Sequence, residues 1–137
     1  MFFKKGLCCL IFLFLSCFLL SACGEKEEKK RITDYKVCKE WELPDTLRRM
    51  ISERKEEPFH LCYEDSAYTY AAAGYGKQKT EEYVVAVENV YENQDTFLVE
   101  LILTSLRHVG ERPAAEASGC PFLVLRMPKR GKRVIFQ

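Results

Sequence analysis

From Phe59 to the C-terminus, apolar and polar residues alternate with a period of two, interrupted by short polar turns. Phe59, Leu61 and Tyr63 alternate with His60 and Cys62 in a first predicted strand, and Glu64-Asp65-Ser66 reads as a turn. Tyr68, Tyr70 and Ala72 continue on a second strand. Tyr83, Val85 and Val87 line one face of a third, which runs to about Tyr91. Asn93-Gln94-Asp95 supplies turn chemistry before a fourth strand, where Phe97, Val99, Leu101 and Leu103 oppose Glu100 and Thr104. Residues 122–127 and 134–136 give a fifth and a sixth, joined by a turn over 128–131, and Pro121 sits at a strand start, where a sheet tolerates it. The polar, small-residue segments 74–80 and 107–119 read as loops.

Ahead of the strands the period is helical. Leu43, Leu47, Met50 and Ile51 recur at i, i+4, i+7 and i+8, which predicts a helix over 43–57. Pro44 suits its first turn, the pairs Asp45/Arg49 and Arg49/Glu53 support its solvated side, and Pro58 stops it. A helix with one narrow apolar stripe must lie on something, most simply a sheet. The expected fold class is therefore α+β to mostly β: one N-terminal helix packed on an antiparallel sheet of about six short strands, either a curled barrel or a sandwich. Trp41, the single tryptophan, is expected to pack on the domain.

Residues 7–20 follow neither period, being almost wholly apolar behind Lys4 and Lys5. That length suits the apolar region of a secretory signal, whereas a spanning helix needs roughly 20 such residues. The run closes on Leu20-Ser21-Ala22-Cys23, the lipobox pattern of bacterial lipoproteins. Small residues before the cut admit the peptide bond to a membrane-embedded peptidase, and the Cys23 thiol takes a diacylglyceryl thioether. The expected organisation is a lipoprotein signal peptide over 1–22, a lipidated Cys23 with a flexible charged tether over 23–42, and a β-rich domain over 43–137. Residues 24–31 carry no apolar side chain and bury nothing. The domain is expected to face outside the cytoplasm, anchored to the cell membrane of a bacterial envelope.

Charge then narrows the function classes. Of 137 residues, 21 are basic and 20 acidic, and loss of Lys4 and Lys5 with the signal leaves 19 against 20. So even a balance provides no electrostatic footprint for nucleic acid. Removal of residues 1–22 and acylation of Cys23 leave Cys38, Cys62 and Cys120, enough for at most one internal disulfide. Cys62 and Cys120 are expected as small apolar residues within strands, with Cys38 outside the core. No Cys-x-x-Cys pair and no His cluster occurs, so no metal and no cofactor is expected. His60 alternates with apolar neighbours as a packed or edge histidine, and His108 opens a loop and meets water. Glu81 and Glu82 are adjacent on an extended chain and point to opposite faces. No catalytic constellation emerges, and an enzyme is not expected. Tyr63, Tyr68, Tyr70 and Tyr75 cluster in sequence and read as half-buried strand residues.

A family resemblance rests on Leu61-Cys62-Tyr63-Glu64-Asp65, Tyr68-Thr69-Tyr70, Gly74-Tyr75-Gly76-Lys77-Gln78-Lys79-Thr80, Tyr83, Pro121-Phe122-Leu123-Val124 and Val134-Ile135-Phe136-Gln137. In these residues the run 58–137 resembles the C-terminal domain of the protease complex subunit PrcB family. That family shows an aromatic strand ending in Gly-Tyr-Gly, a Thr-Gly-Gly-Tyr loop, a Ser-Tyr-Pro-Tyr stretch and a final Val-x-Phe strand. Two positions depart: Glu81-Glu82 stand where the family has its glycine pair, and Gly119-Cys120 where it has Ser-Tyr. The resemblance implies a non-catalytic, lipid-anchored accessory subunit of an extracellular protease. Its contact loop would comprise Gly74, Tyr75, Gly76, Lys77, Thr80, Glu81, Glu82 and Tyr83. The alternatives are a loop-inserting protease inhibitor and a lipoprotein that binds a small ligand or cell-wall glycan.

Overall fold

A computed structural model describes residues 28–137. The expected signal peptide, the Leu20-Ser21-Ala22 lipobox and the acylation at Cys23 lie outside the described residues. Within them the alternating stretches become β3 (Pro58–Glu64), β4 (Tyr68–Tyr75), β5 (Tyr83–Glu92), β6 (Thr96–Ser105), β7 (Phe122–Pro128) and β8 (Arg133–Phe136). They are preceded by β1 (Lys30–Arg31), β2 (Lys36–Val37) and a helix, α1 (Asp45–Arg54). The fold is mostly β, with two four-stranded sheets ordered β1-β5-β6-β8 and β2-β7-β4-β3. Every pairing is antiparallel except β6 with β8, which is parallel.

Of the two arrangements expected, a curled barrel and a sandwich, the strands form two sheets that do not close into a barrel, with eight strands rather than about six and one parallel pair in place of wholly antiparallel pairing. The physical reason is that β4 and β7 need cover on both faces. Leu123, Leu125, Met127 and Ala71 point one way, into a core shared with Val85, Val87, Val90, Phe97 and Val99 of the other sheet. Val124, Tyr70 and Ala72 point the opposite way, into a second core beneath α1 with Leu43, Leu47, Ile51 and Leu61. The layers run α1, then β2-β7-β4-β3, then β1-β5-β6-β8. The small side chains of Ala71, Ala72 and Ala73, all buried, fill the middle of the central layer.

The tether expected over 23–42 also ends earlier. Lys30 and Arg31 pair with Glu92 and Tyr91, and Lys36 and Val37 with Arg126 and Leu125. The backbone bonds Ile32 N–H to Val90 O and Cys38 N–H to Val124 O, each 2.9 Å, hold the segment down, and both side chains are buried. Strands of two residues are too short to show a period, so polar composition alone concealed them. The helix is shorter than its apolar stripe, because Leu43 is already buried before the first helical turn. Its ion pair is Asp45 with Arg48 at 3.2 Å rather than Asp45 with Arg49.

Two further details shape the surface. A register shift between Val87 and Asn89 makes Glu88 a bulge residue, so that Val87 and Val90 both face the inner core. Residues 113–118, expected as free loop, instead lie along β5. Val87 N–H donates to Pro113 O at 2.8 Å, Ala115 N–H to Val85 O at 3.0 Å, and Ser118 N–H to Tyr83 O at 3.2 Å. These bonds satisfy a strand edge that would otherwise invite pairing with another chain.

Candidate interaction surface

The segment 74–83 leaves β4 through a fixed turn. Gly74 and Tyr75 still pair with Phe59 and Pro58, and a side chain at Gly74 would meet the Phe59 ring. Gly76 has φ +75°, and a Cβ there would stand 3.0 Å from Pro58 Cδ and 3.1 Å from Glu56 O, so glycine is needed twice over. Lys77 N–H then donates to Glu56 O at 3.0 Å and Gln78 N–H to Gly119 O at 2.8 Å. The Gln78 side-chain amide donates to Tyr75 O at 3.1 Å and also to Gly76 O. Only the crest is free: Lys77, Lys79, Thr80, Glu81 and Glu82 are exposed, while Tyr83 is half-buried at the start of β5.

Beside this loop lies a cavity of about 280 Å³. Val37, Cys38, Phe122, Val124 and the alanines at 114, 115 and 117 give it an apolar lining, and Lys39, Glu40, Lys55 and Glu116 supply its charges. Lys39 Nζ and Glu116 Oε1, both exposed, stand 3.5 Å apart. Ser118 and Lys55, which line the cavity, are the immediate neighbours of Gly119 and Glu56, the two backbone anchors of the 77–78 turn. The loop and the cavity therefore form one continuous surface. A volume of this size suits a single side chain better than a drug-sized ligand.

Trp41 follows Glu40 on a 3₁₀ turn, Glu40–Glu42. The Glu42 carboxylate pairs with Lys36 and accepts the Lys39 N–H at 3.0 Å, and these contacts hold its pKa below the ordinary carboxylate range. Trp41 is 78 % exposed, which overturns the expectation that it packs on the domain. Its neighbours in sequence explain why: Cys38 and Leu43 turn into the helix-side core, and the turn between them swings the indole outward.

The thiols fall differently from expectation as well. Cys38 is buried in the core, where desolvation pushes its pKa up, and Cys62 is exposed on β3. Cys120 is partly buried just before β7 rather than within a strand, and all three are free. His60 stacks on Phe136 with ring centroids 4.3 Å apart. His108 Nδ1 contacts Ser105 Oγ at 2.7 Å in an exposed turn closed by His108 N–H on Ser105 O. The tyrosines Tyr63, Tyr68 and Tyr70 pack on one another in tilted and edge-on contacts beside the helix, and the Arg126 guanidinium lies over the Tyr68 ring at 4.2 Å. Among the described residues no group of three His, Cys, Asp or Glu could hold a metal ion, and no helix is long and apolar enough to cross a membrane. The buried Thr69 and Thr96 hydroxyls are satisfied by Glu64 at 3.1 Å and Asn93 at 2.8 Å.

No family model, no curated protein and no solved structure matches this chain.

Proposed function

We propose that the chain is an extracytoplasmic lipoprotein, fastened to the membrane through a diacylglyceryl group on Cys23, that presents a non-catalytic protein-interaction domain. The accessory role in a secreted protease complex follows from the resemblance to the PrcB family. The observation that carries the interaction reading is the 78 % exposure of Trp41 on the turn that leads from a cavity of mixed apolar and charged lining. Burying a large aromatic side chain is worth about 1.5–3 kcal/mol, so an indole held in water is a ready anchor for a protein partner. The crest Lys79 to Glu82 adds charged groups at the rim, suited to selecting a partner.

The test is cross-linking in intact cells, followed by purification of the full chain from solubilised membranes. A discrete protein adduct that disappears in Trp41→Ala, together with diacylglyceryl-modified Cys23 in the N-terminal peptide, is the expected result. An unmodified precursor in the cytosol, or no adduct under any condition, contradicts the reading.

A further inference from the structure

Strand register aligns four outward residues in one row across the whole of the second sheet. Arg31 of β1 lies opposite Tyr91 of β5, Tyr91 opposite Leu98 of β6, and Leu98 opposite Ile135 of β8. Directly paired residues point to the same side, so this row belongs to one face. The neighbouring side chains Ile32, Val90, Phe97, Val99, Val134 and Phe136 all turn inward, which fixes that face as the outer one. Tyr91 and Leu98 are half-buried and Ile135 is 42 % exposed. The outer face of the other sheet has α1 across it, whereas on this row Arg31 and Ile135 are exposed.

The charges beside the row are mainly basic. Lys29 Nζ sits 4.7 Å above the Tyr91 ring, Arg31 ends the row, and Arg133 lies two residues before Ile135 on the same side of β8. The one carboxylate on the adjacent row, Glu100, accepts a hydrogen bond from Asn89 Nδ2 at 2.9 Å. Aromatic and aliphatic groups surrounded by lysine and arginine are the composition of a surface that lies in an anionic bilayer interface.

Chain length points to the same occupant. Lys29, laid on this face, follows Cys23 closely enough that the connecting chain reaches no further than about 20 Å even when fully extended. We propose that the outer face of β1-β5-β6-β8 rests on the anionic lipid surface to which Cys23 is anchored, with Tyr91, Leu98 and Ile135 at the headgroups and Lys29, Arg31 and Arg133 pairing with lipid phosphates. This rests on the lipoprotein reading above. It also orients the domain: α1 and the Trp41 side then face away from the membrane.

The single tryptophan makes the test direct. Full chain purified from membranes is reconstituted into phosphatidylcholine–phosphatidylglycerol vesicles whose acyl chains are brominated near the headgroup, and tryptophan emission is compared with that in unbrominated vesicles. Trp41 in the natural chain stays unquenched, whereas Leu98→Trp in a Trp41→Phe background loses emission several-fold. Ile135→Trp in the same background repeats the result at an exposed position that carries little of the core. Chain that floats with the vesicles but shows no quenching from either new tryptophan overturns the membrane-facing surface and leaves the anchor standing. Chain that does not float, with Cys23 unmodified by mass spectrometry, overturns the anchor and this proposal together.

Discussion

The sheet β2-β7-β4-β3 is enclosed on both faces, while β1-β5-β6-β8 has an open outer face along the row from Arg31 to Ile135, although β5 buries Val84 to Val87 in succession at its other end. In β4 every position from Thr69 to Gly74 is buried, and β7 buries Leu123, Val124 and Leu125 in succession. In β6, Phe97 and Val99 are fully buried but Leu98, Glu100 and Ile102 are only half so. A strand between two cores loses the polar partner of each apolar residue, as sheets covered on both sides do. Where only one core is present, as from Phe97 to Glu100 of β6, the alternation is kept and the other face is left for water, lipid or a partner.

Substitutions can break or sharpen that contrast. The largest effect is expected for Phe97→Ala, which empties the inner core at a residue with no exposed surface. A loss of about 3–5 kcal/mol should appear in urea titration as a lower midpoint at unchanged slope. Leu47→Ala removes the centre of the helix-side core and should cost about 2–5 kcal/mol. Fluorescence of Trp41 and far-ultraviolet circular dichroism should report a single shared transition. Two separate transitions would show that the cores are independent and that the central sheet does not couple them. Gly76→Ala is expected to cost about 1–2 kcal/mol through the positive φ alone, with the crowding at Pro58 added to it. Ile135→Thr, on the open face, should stay within about 0.5 kcal/mol by the same titration. A cost comparable to that of Leu47→Ala would mean that the face is not open.

The smallest effect is a pH dependence at the β3–β4 turn. Asp65 Oδ1 accepts the N–H groups of Ala67 at 2.9 Å and Tyr68 at 2.7 Å, and these bonds lower its pKa. A carboxyl lowered by folding contributes stability above its unfolded pKa and loses it as the pH falls through the lowered folded value. Melting temperature should therefore drop on acidification below the ordinary carboxylate range, and Asp65→Asn should drop less across the same interval.

Much of this arrangement was legible in the residues. The stripe Leu43, Leu47, Met50 and Ile51 gave the helix its buried face, and the period of two located β3 to β8 to within a few residues. The choice of two sheets over a barrel was not legible, because it depends on which face of β4 and β7 meets which layer, and continuous burial erases the period that would tell. β1 and β2 escaped notice because their pairing rests on backbone bonds rather than side-chain pattern. The turn over 74–83 was found through its glycines. The cavity beside it was not, since Val37, Lys55, Ala115 and Phe122 come from distant parts of the chain. Trp41 was misjudged for a related reason: the turn that exposes it is built by the burial of Cys38 and Leu43 on either side.

Orientation on the membrane joins the proposed anchor to the proposed partner surface, and one measurement addresses both most directly. A photo-activated cross-linking residue is placed at position 41 or at position 135 of the full chain and irradiated in intact cells. The expected products are a protein adduct from position 41 and a lipid adduct from position 135. Protein adducts from position 135 with lipid adducts from position 41 would contradict it.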